Sequence, residues 1–534
     1  MLVAYFKKVA RSRARRVMRG YRKLKNSKDP LVINRLQEEL TVLNLGINTS
    51  HVSRYIYGEE ANNIEIAARQ FMLQRYVNLR LSKAILLAFG SNQTKVYSPM
   101  PIAWINKIQE QGIPISKTHS IFLFGLNLVY LLCVGLVRAG QAVLIRSKLD
   151  SCLGSHVQFI DIKKNNLPRK RTDQSYDLVS WYIQWKERIN DINEIRHTVL
   201  DYDDRTIHGI RLVSSQDYLP EISGFTNKLY FCAWVLVAFL IAVFSLFRCR
   251  WVNALLFPEA VTRKIIELAE TKRLAADYLF SLSTYIYRPL WTYAAERKGS
   301  QITLYNYAAS FSQFKMKDRY PYHELGYQSV SWPRMLYWSE SYAEYTREII
   351  NPKVNIKLVP PIWFIDSDEE IPASDRPCIA LFDITPVRSY FEKVLLPTPV
   401  YRTYKIGRSF LEEIHSLADA HGYDLLWKRK RKFGAIHNRA YIKFSESFSL
   451  LPGVINIPPE ISPFRVIERC VASISMPFTS TALISRDCNV SAIFYDPSGI
   501  LFKDDRGCQN IPLISGSSEL AIWFNELTLM HSKL

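Results

Sequence analysis

The chain has 534 residues, 48% hydrophobic and 22% charged, with 20 Gly and 25 Pro; this is a globular composition with room for about three domains, and it excludes wholesale disorder and collagen-like or Pro-rich repeats. Net charge is +20 and lies at one end: residues 1–36 hold twelve Lys/Arg against one acid, while 138–228 hold fourteen against twelve. Such asymmetry points to a basic tail on an anionic surface, here a membrane rather than a nucleic acid. The eight Cys include no CxxC pair and no zinc-type Cys/His spacing, so they read as reduced thiols and no metal is expected.

In chain order, residues 1–120 read as a basic helical region. Residues 1–28 contain no acid and no apolar stretch behind the cations, unlike a secretory signal. Leu2, Tyr5, Phe6, Val9, Val17 and Met18 can share a helical face ringed by Arg and Lys, the pattern of a helix on anionic lipid, or of a solvated basic helix. Residues 121–250 hold two apolar runs, 121–137 with one Asn and 229–247 with one Ser; Arg248, Arg250 and Trp251 follow the second like an interfacial anchor. A span takes about 20 apolar residues, so the second qualifies and the first is short. A buried core helix fits both as well. If the basic end and the C-terminal half both face the cytosol, the crossings number two or none, and two shallow helices dipping in from one side satisfy the same charges.

From residue 252 helix and strand patterns alternate, which predicts an α/β fold with parallel sheets. A helix is expected over Glu259–Tyr278, then a helix through Glu296 stopped by Gly299, a strand Ile302–Tyr307, a helix over 332–349 and a strand within Val354–Ile365. The acidic stretch 367–376 reads as a linker. It divides an N-terminal Rossmann-like domain at 251–366, which the 121–250 region also completes on one reading, from a C-terminal Rossmann-like domain at 377–534. In the latter, strands are expected at 379–382, 424–427, 454–457, 472–474 and 492–494, with helices at 410–421, 463–470 and 481–486.

The most informative stretch is Ser475–Thr481, Ser-Met-Pro-Phe-Thr-Ser-Thr. It leaves a short apolar strand and opens a helix, so hydroxyls and unpaired N–H groups gather where an anion is favoured; a plain helix cap explains the same letters. Residues 476–499, with Pro477-Phe478-Thr479-Ser480 and the downstream Phe494-Tyr495-Asp496-Pro497, resemble the signature of bacterial polysaccharide biosynthesis proteins named for a Pro-Phe-Thr-Ser motif. The likeness extends more faintly over about 290–510, through YAAERKG (293–299) and the 379–386 strand-loop. It implies a GT-B glycosyltransferase: a pair of Rossmann-type domains moving a sugar from a nucleotide donor, of CMP or NDP type, to a surface-polysaccharide or lipid-linked acceptor in O-antigen or capsule synthesis. The expected place is the cytoplasmic face of a bacterial inner membrane. A non-catalytic membrane scaffold and a polyol-phosphate transferase are the alternatives.

One departure from related transferases is the absence of a His-Pro donor pair. The mechanism expected needs neither metal nor cofactor, cations stabilising the leaving phosphate. Thr479, Ser480 and Thr481 are then the phosphate-binding candidates, with Pro477 and Phe478 shaping the turn. Lys428, Lys430 and Lys432 leave a strand at its carboxyl end, and alternation would aim them to one side. Glu468 is a candidate for donor ribose or sugar hydroxyls, and Asp383 ends the domain's first strand. The general base is sought in the N-terminal half: Glu296, the loop residues His323 and Glu324, and the acids Asp201, Asp203 and Asp204 are its candidates.

Overall fold

The computed structural model describes residues 12, 15–24, 26–27, 32–43, 45, 51–77, 79–90, 97–144, 156–168, 177–185, 192–215, 219–281, 286–307, 309–310, 314–315, 320, 326–350, 354–360, 366–388, 401–434 and 436–531. Two sheets organise it. The first contains β1 (His156–Ile160), β2 (Glu194–His197), β3 (Arg205–Ile207), β4 (Ile210–Ser214), β5 (Asp277–Ser281), β6 (Gln301–Tyr305), β7 (Arg334–Tyr337) and β8 (Asn355–Leu358), in the order β3-β4-β2-β1-β5-β6-β7-β8. All neighbours are parallel except the β3–β4 hairpin.

The second sheet is wholly parallel: β9 (Cys378–Asp383), β10 (Asp424–Arg429), β11 (Val454–Ile457), β12 (Ala472–Ser475), β13 (Ser491–Asp496) and β14 (Leu513–Ser515), in the order β11-β10-β9-β12-β13-β14. That is the 3-2-1-4-5-6 Rossmann order, and without its hairpin strand the first sheet follows the same rule. Each sheet therefore has a crevice at the carboxyl ends of its first and fourth parallel strands, β1/β5 and β9/β12, where the winding reverses.

The alternating reading of the C-terminal half matches these strands closely, and the expected α/β class is observed. The first sheet begins at His156, well upstream of residue 251, so the middle of the 121–250 region supplies strands rather than helices alone. The helix expected over Glu259–Tyr278 stops at Leu268, and Asp277–Ser281 becomes a central strand. Within 332–349, Arg334–Tyr337 is a strand; the helix starts only at Glu340, where the Ser339 hydroxyl accepts from the Tyr342 amide at 3.2 Å.

Upstream helices, including Ile64–Tyr76, Leu79–Gly90, Ile102–Glu110 and the long Lys117–Leu144, join Phe225–Phe247 and Phe257–Leu268 in a second core beside the first sheet. Buried Arg263 ties Phe257–Leu268 to Glu60 at 3.0 Å. In helix 15–24 Val17 and Leu24 face the protein, while Arg15, Arg16, Arg19, Arg22 and Lys23 are exposed. Gly20 and Gly90 let this helix cross its neighbour closely: a Cβ on Gly20 would lie 1.7 Å from the Leu86 carbonyl oxygen. Of the lipid-facing side expected in residues 1–28, Leu2, Tyr5, Phe6 and Val9 lie outside the described residues, and Val17 packs on the protein instead.

Candidate functional site

The carboxyl ends of the two sheets face each other. Ala309 and Ser310 follow β6, and Ser339 follows β7. Across the cleft the Ser480 amide donates to Ser310 Oγ at 3.2 Å, Gln509 Nε2 donates to the Ala309 carbonyl at 2.8 Å, and the Ser339 hydroxyl donates to Gln509 Oε1. Farther along, the Lys315 amide donates to Asp505 Oδ2 at 2.6 Å. Two Rossmann-type sheets meeting mouth to mouth are the arrangement expected of a GT-B protein.

The 475–481 turn sits in this cleft at the second sheet's crevice. Strand β12 ends at Ser475, Thr479 takes the cap position in extended backbone, and helix Ser480–Asp487 begins. Between them Phe478 adopts φ +62° with its ring buried. Left-handed backbone is unfavourable for so bulky a residue and persists only where the surroundings enforce it. The enforcing contacts are rings and a glycine: Phe314 at 5.4 Å, Phe494 edge-on at 5.7 Å, and Gly507, whose Cβ would lie 2.5 Å from the ring.

The turn gathers three hydroxyls. Thr479 Oγ1 donates to the Met476 carbonyl at 2.8 Å and lies 3.1 Å from Thr481 Oγ1, which is 2.8 Å from Ser475 Oγ. Thr479 is buried and holds the turn, whereas Ser480 and Thr481 are partly exposed. Pro477 is buried in the same turn.

The lysines diverge, contrary to the one-sided arrangement expected. Lys428 lies in register with Phe382 and, one strand further, Ser475; its ammonium is buried and donates to the Pro459 carbonyl at 3.1 Å. Burial pulls its pKa down to about 8, against Glu460, Asp383 and Asp366, which favour the charge. Lys432 pairs with Glu460 at 2.7 Å. Lys430 is an exposed residue past the strand end, its ammonium crowded by protein and by Arg402 and Arg431; lost hydration first, then these two cations, lower its pKa. Arg402 in turn lies 6.0 Å from the centre of the Phe314 ring that packs on Phe478. Arg402 thus connects the Lys430–Arg431 pair to the rings that pack on the turn.

Asp383 ends β9, beside β12, but its carboxyl is closed over. The Tyr441 hydroxyl donates to Oδ2, the residue is 3% exposed, and buried Oδ1 has no hydrogen bond of normal geometry. Burial pushes its pKa up to about 6, against the Tyr441 hydroxyl, the Trp427 indole and Arg429. As placed, Asp383 cannot touch a ligand directly. Glu468 is exposed just past helix Pro463–Ile467, ahead of the start of β12, so it lies at the amino ends of the strands, away from the cleft.

Glu296 is likewise displaced. It pairs with Arg288, whose guanidinium also donates to the Ser331 carbonyl at 3.1 Å ahead of β7, at the amino end of the first sheet. A crossover helix runs back against its strands, so residues near its end leave the cleft. His323 and Glu324 lie outside the described residues. Asp201, Asp203 and Asp204 follow β2 at the carboxyl side but near the sheet's edge, and Asp204 accepts from the Ser214 amide at 3.0 Å.

One acid in the first sheet's crevice escaped the sequence reading. Asp161 directly follows β1 with φ +59°, a conformation Asp tolerates better than most residues. It is exposed, yet the surrounding loop removes enough water to push its carboxyl above the ordinary value. The signal was the short, largely apolar stretch Val157–Ile160, broken by Gln158 and ending in an acid. Among the described residues no group of three or more His, Cys, Asp or Glu side chains converges in a way that could hold a metal.

The family model of the polysaccharide biosynthesis PFTS motif proteins matches residues 234–524. No curated protein gives a sequence match. Among solved structures, a trehalose-6-phosphate synthase aligns at 7% identity and TM-score 0.37, covering 71% of this chain and 91% of its own. A UDP-glucosyltransferase from Polygonum tinctorium aligns at 10% and 0.34, covering 71% and 90%, and a UDP-GlcNAc 2-epimerase from Methanocaldococcus jannaschii at 10% and 0.32, covering 71% and 91%. At such scores the fold assignment rests on the strand orders above.

Proposed function

Because the chain belongs to the polysaccharide biosynthesis PFTS motif family, we propose that it is a glycosyltransferase moving a sugar from a nucleotide donor to a surface-polysaccharide or lipid-linked acceptor. The observation that carries this reading is the hydroxyl-rich 475–481 turn at one Rossmann crevice, facing a second crevice across a cleft. The donor's nucleotide, of CMP or NDP type, docks on the second sheet. Its phosphate takes the N–H groups at the start of helix Ser480–Asp487 and the Ser480 and Thr481 hydroxyls, with Lys430, Arg431 and Arg402 supplying positive charge. Thr479, Pro477 and Phe478 hold the turn in shape.

Asp161 is the general base. It takes the proton from an acceptor hydroxyl as that oxygen bonds to the anomeric carbon; the bond from that carbon to the donor phosphate breaks, and the nucleotide leaves with the electron pair, stabilised by the cations. Neither a metal nor a cofactor enters this scheme. The two apolar helices and the exposed arginines of helix 15–24 support a reading in which the enzyme works on an anionic membrane, at the cytoplasmic face of a bacterial inner membrane, where O-antigen and capsule precursors are assembled.

A thermal-shift series with CMP, CDP, UDP and GDP, followed by sugar transfer from the matching nucleotide sugar to membrane extracts, tests the reading. Stabilisation by one nucleotide and label in an acceptor are expected. Intact protein that responds to none of them would instead be a scaffold of the assembly machinery.

A further inference from the structure

Helices Lys117–Leu144 and Phe225–Phe247 are each long and apolar enough to cross a bilayer. They lie antiparallel. At one end Lys228 Nζ donates to the Val143 carbonyl at 3.3 Å, and at the other the Phe124 ring meets Trp251 at 5.4 Å. Each lays one stripe on the protein along its whole length, Phe124, Leu128, Leu131 and Ala139 in the first, Phe231, Trp234, Ala238 and Ala242 in the second. The opposite faces are exposed and apolar between the helix ends, with Phe122, Leu126 and Leu136 on one helix and Leu236, Leu240 and Phe244 on the other. Soluble monomers rarely leave contiguous apolar patches larger than a few hundred Å².

The sheet decides how this face can meet a membrane. Strands β1 to β4 come from the chain between the two helices, and β5 to β8 from the chain after them. Val157–Ile160 of β1 nevertheless pairs residue for residue with Asp277–Phe280 of β5. Neighbouring strands are about 4.8 Å apart and a hydrocarbon core is about 30 Å thick, so one sheet cannot straddle a bilayer, and Phe225–Phe247 cannot cross. The chain before the first helix is tied to the same side: Gln70 Oε1 accepts from the Arg288 amide at 3.0 Å, and Gln70 Nε2 donates to Ser331 Oγ at 2.7 Å. Lys117–Leu144 therefore begins and ends on one side as well.

We infer that the two helices form a raft lying in the plane of a single leaflet, outer faces among the acyl chains and all four ends at headgroup level, and that neither spans the membrane. The inference rests on the membrane-surface reading above and refines it. The charges fit anionic lipid: Lys117, Arg138 and Lys228 are the charged residues of the two helices, which contain no acid of their own although Lys228 pairs with Glu221 at 3.5 Å, and exposed Arg248 and Arg250 follow directly. A helix of this kind sinks about 5–10 Å, enough to immerse one face and leave the packed face with the protein.

The test uses the full chain with exposed Cys133, Cys232 and Cys249 changed to Ser, carrying Arg54→Cys, His208→Cys or Lys503→Cys. These three exposed sites lie before, between and after the helices. Right-side-out and inverted vesicles from an expressing bacterium are treated with a membrane-impermeant maleimide, and purified protein is floated with phosphatidylglycerol-containing or pure phosphatidylcholine vesicles. All three cysteines should label from the same face. The protein should float with the anionic vesicles, and Leu236→Asp with Leu240→Asp should cut flotation at least tenfold while leaving a folded monomer. Labelling of His208→Cys from the face opposite to Lys503→Cys, with flotation intact, would overturn the raft and keep the membrane reading. No flotation, with dimers that the double Asp variant dissociates, would overturn both and make the face a contact between copies.

Discussion

The Ser480 amide, at the first position of the motif helix, donates to the hydroxyl of Ser310 in the opposite domain at 3.2 Å. A donor phosphate bound at the helix start competes for this amide. A hydrogen bond of this kind contributes about 0.5–1.5 kcal/mol net, so Ser310→Ala should tighten nucleotide binding about two- to tenfold in calorimetric titration. Unchanged or weaker binding would mean that the phosphate does not use this N–H.

Thr479 and Thr481 separate support from contact. The Thr479 hydroxyl is committed to the Met476 carbonyl, while Thr481 is partly exposed. Thr479→Ala should lower stability by about 1 kcal/mol, a melting shift of about 2–4 °C for a domain of this size, and reduce transfer through a loosened turn. Ser480→Ala with Thr481→Ala should cost about a hundred- to a thousandfold in kcat, as when oxyanion donors are removed, far beyond the effect of a melting shift like that of Thr479→Ala, which the lost Thr481 bond to Ser475 also brings. Normal turnover in the double variant would return the motif to a helix cap.

In the proposed reaction Asp161 acts on the acceptor, not the donor. Asp161→Asn should abolish most transfer while leaving nucleotide affinity unchanged, a split that calorimetry and initial rates read together. Lost hydration raises its pKa, so the acid limb of the rate profile should fall at higher pH than an ordinary carboxylate gives, and vanish from the residual activity of the Asp161→Asn variant. Equal loss of binding and turnover would point to a structural role.

The C-terminal sheet was legible because its strands are short apolar runs followed by helices with plain stops, such as Gly422 at φ +76° behind helix Tyr404–Ala420. The first sheet hides its strands behind buried polar groups. Asp277, inside β5, accepts from Tyr182 at 3.0 Å, Thr303 at 2.9 Å and Arg334 at 3.1 Å, and Glu194 of β2 pairs with Arg211 at 3.6 Å. A residue-by-residue hydropathy reading cannot see partners this distant in sequence. Missing β1 concealed Asp161, and the correct alternation along β10 still misplaced Lys428, because strand register buries it in line with Phe382. Glu296 and Glu468 failed for one geometric reason: the ends of crossover helices return to the amino side of a parallel sheet.

Close packing beneath the apolar pair gives a stability prediction. A Cβ on Gly135 would lie 2.3 Å from the Phe257 ring, at the crossing of helices Lys117–Leu144 and Phe257–Leu268. Gly135→Ala should destabilise by about 1–3 kcal/mol through overpacking, despite the better helix propensity of Ala. Denaturant midpoints check it, and a neutral or stabilising result would mean that the helices are not packed this closely.

Asp383 should make its own mark on the pH dependence of stability. Burial raises its pKa from 3.8 to about 6. Below about pH 4 the carboxyl is protonated in both folded and unfolded chains and shifts nothing. Between about pH 4 and 6 the unfolded chain releases the proton while the folded one keeps it, so stability falls as pH rises, by about 3 kcal/mol in all at 1.36 kcal/mol per unit. Buried His156 and His197, with pKa values lowered to about 3 and 4, act oppositely: they lose stability as pH falls through the unfolded histidine range. The comparison must therefore be between wild type and Asp383→Asn, which keeps an acceptor for Tyr441 and cannot ionise. The stability difference, variant minus wild type, should rise from about pH 4 to about pH 6 and then level off. Parallel curves across that range would show that Asp383 ionises in the folded protein as easily as in water, and that its carboxyl is open to the cleft after all.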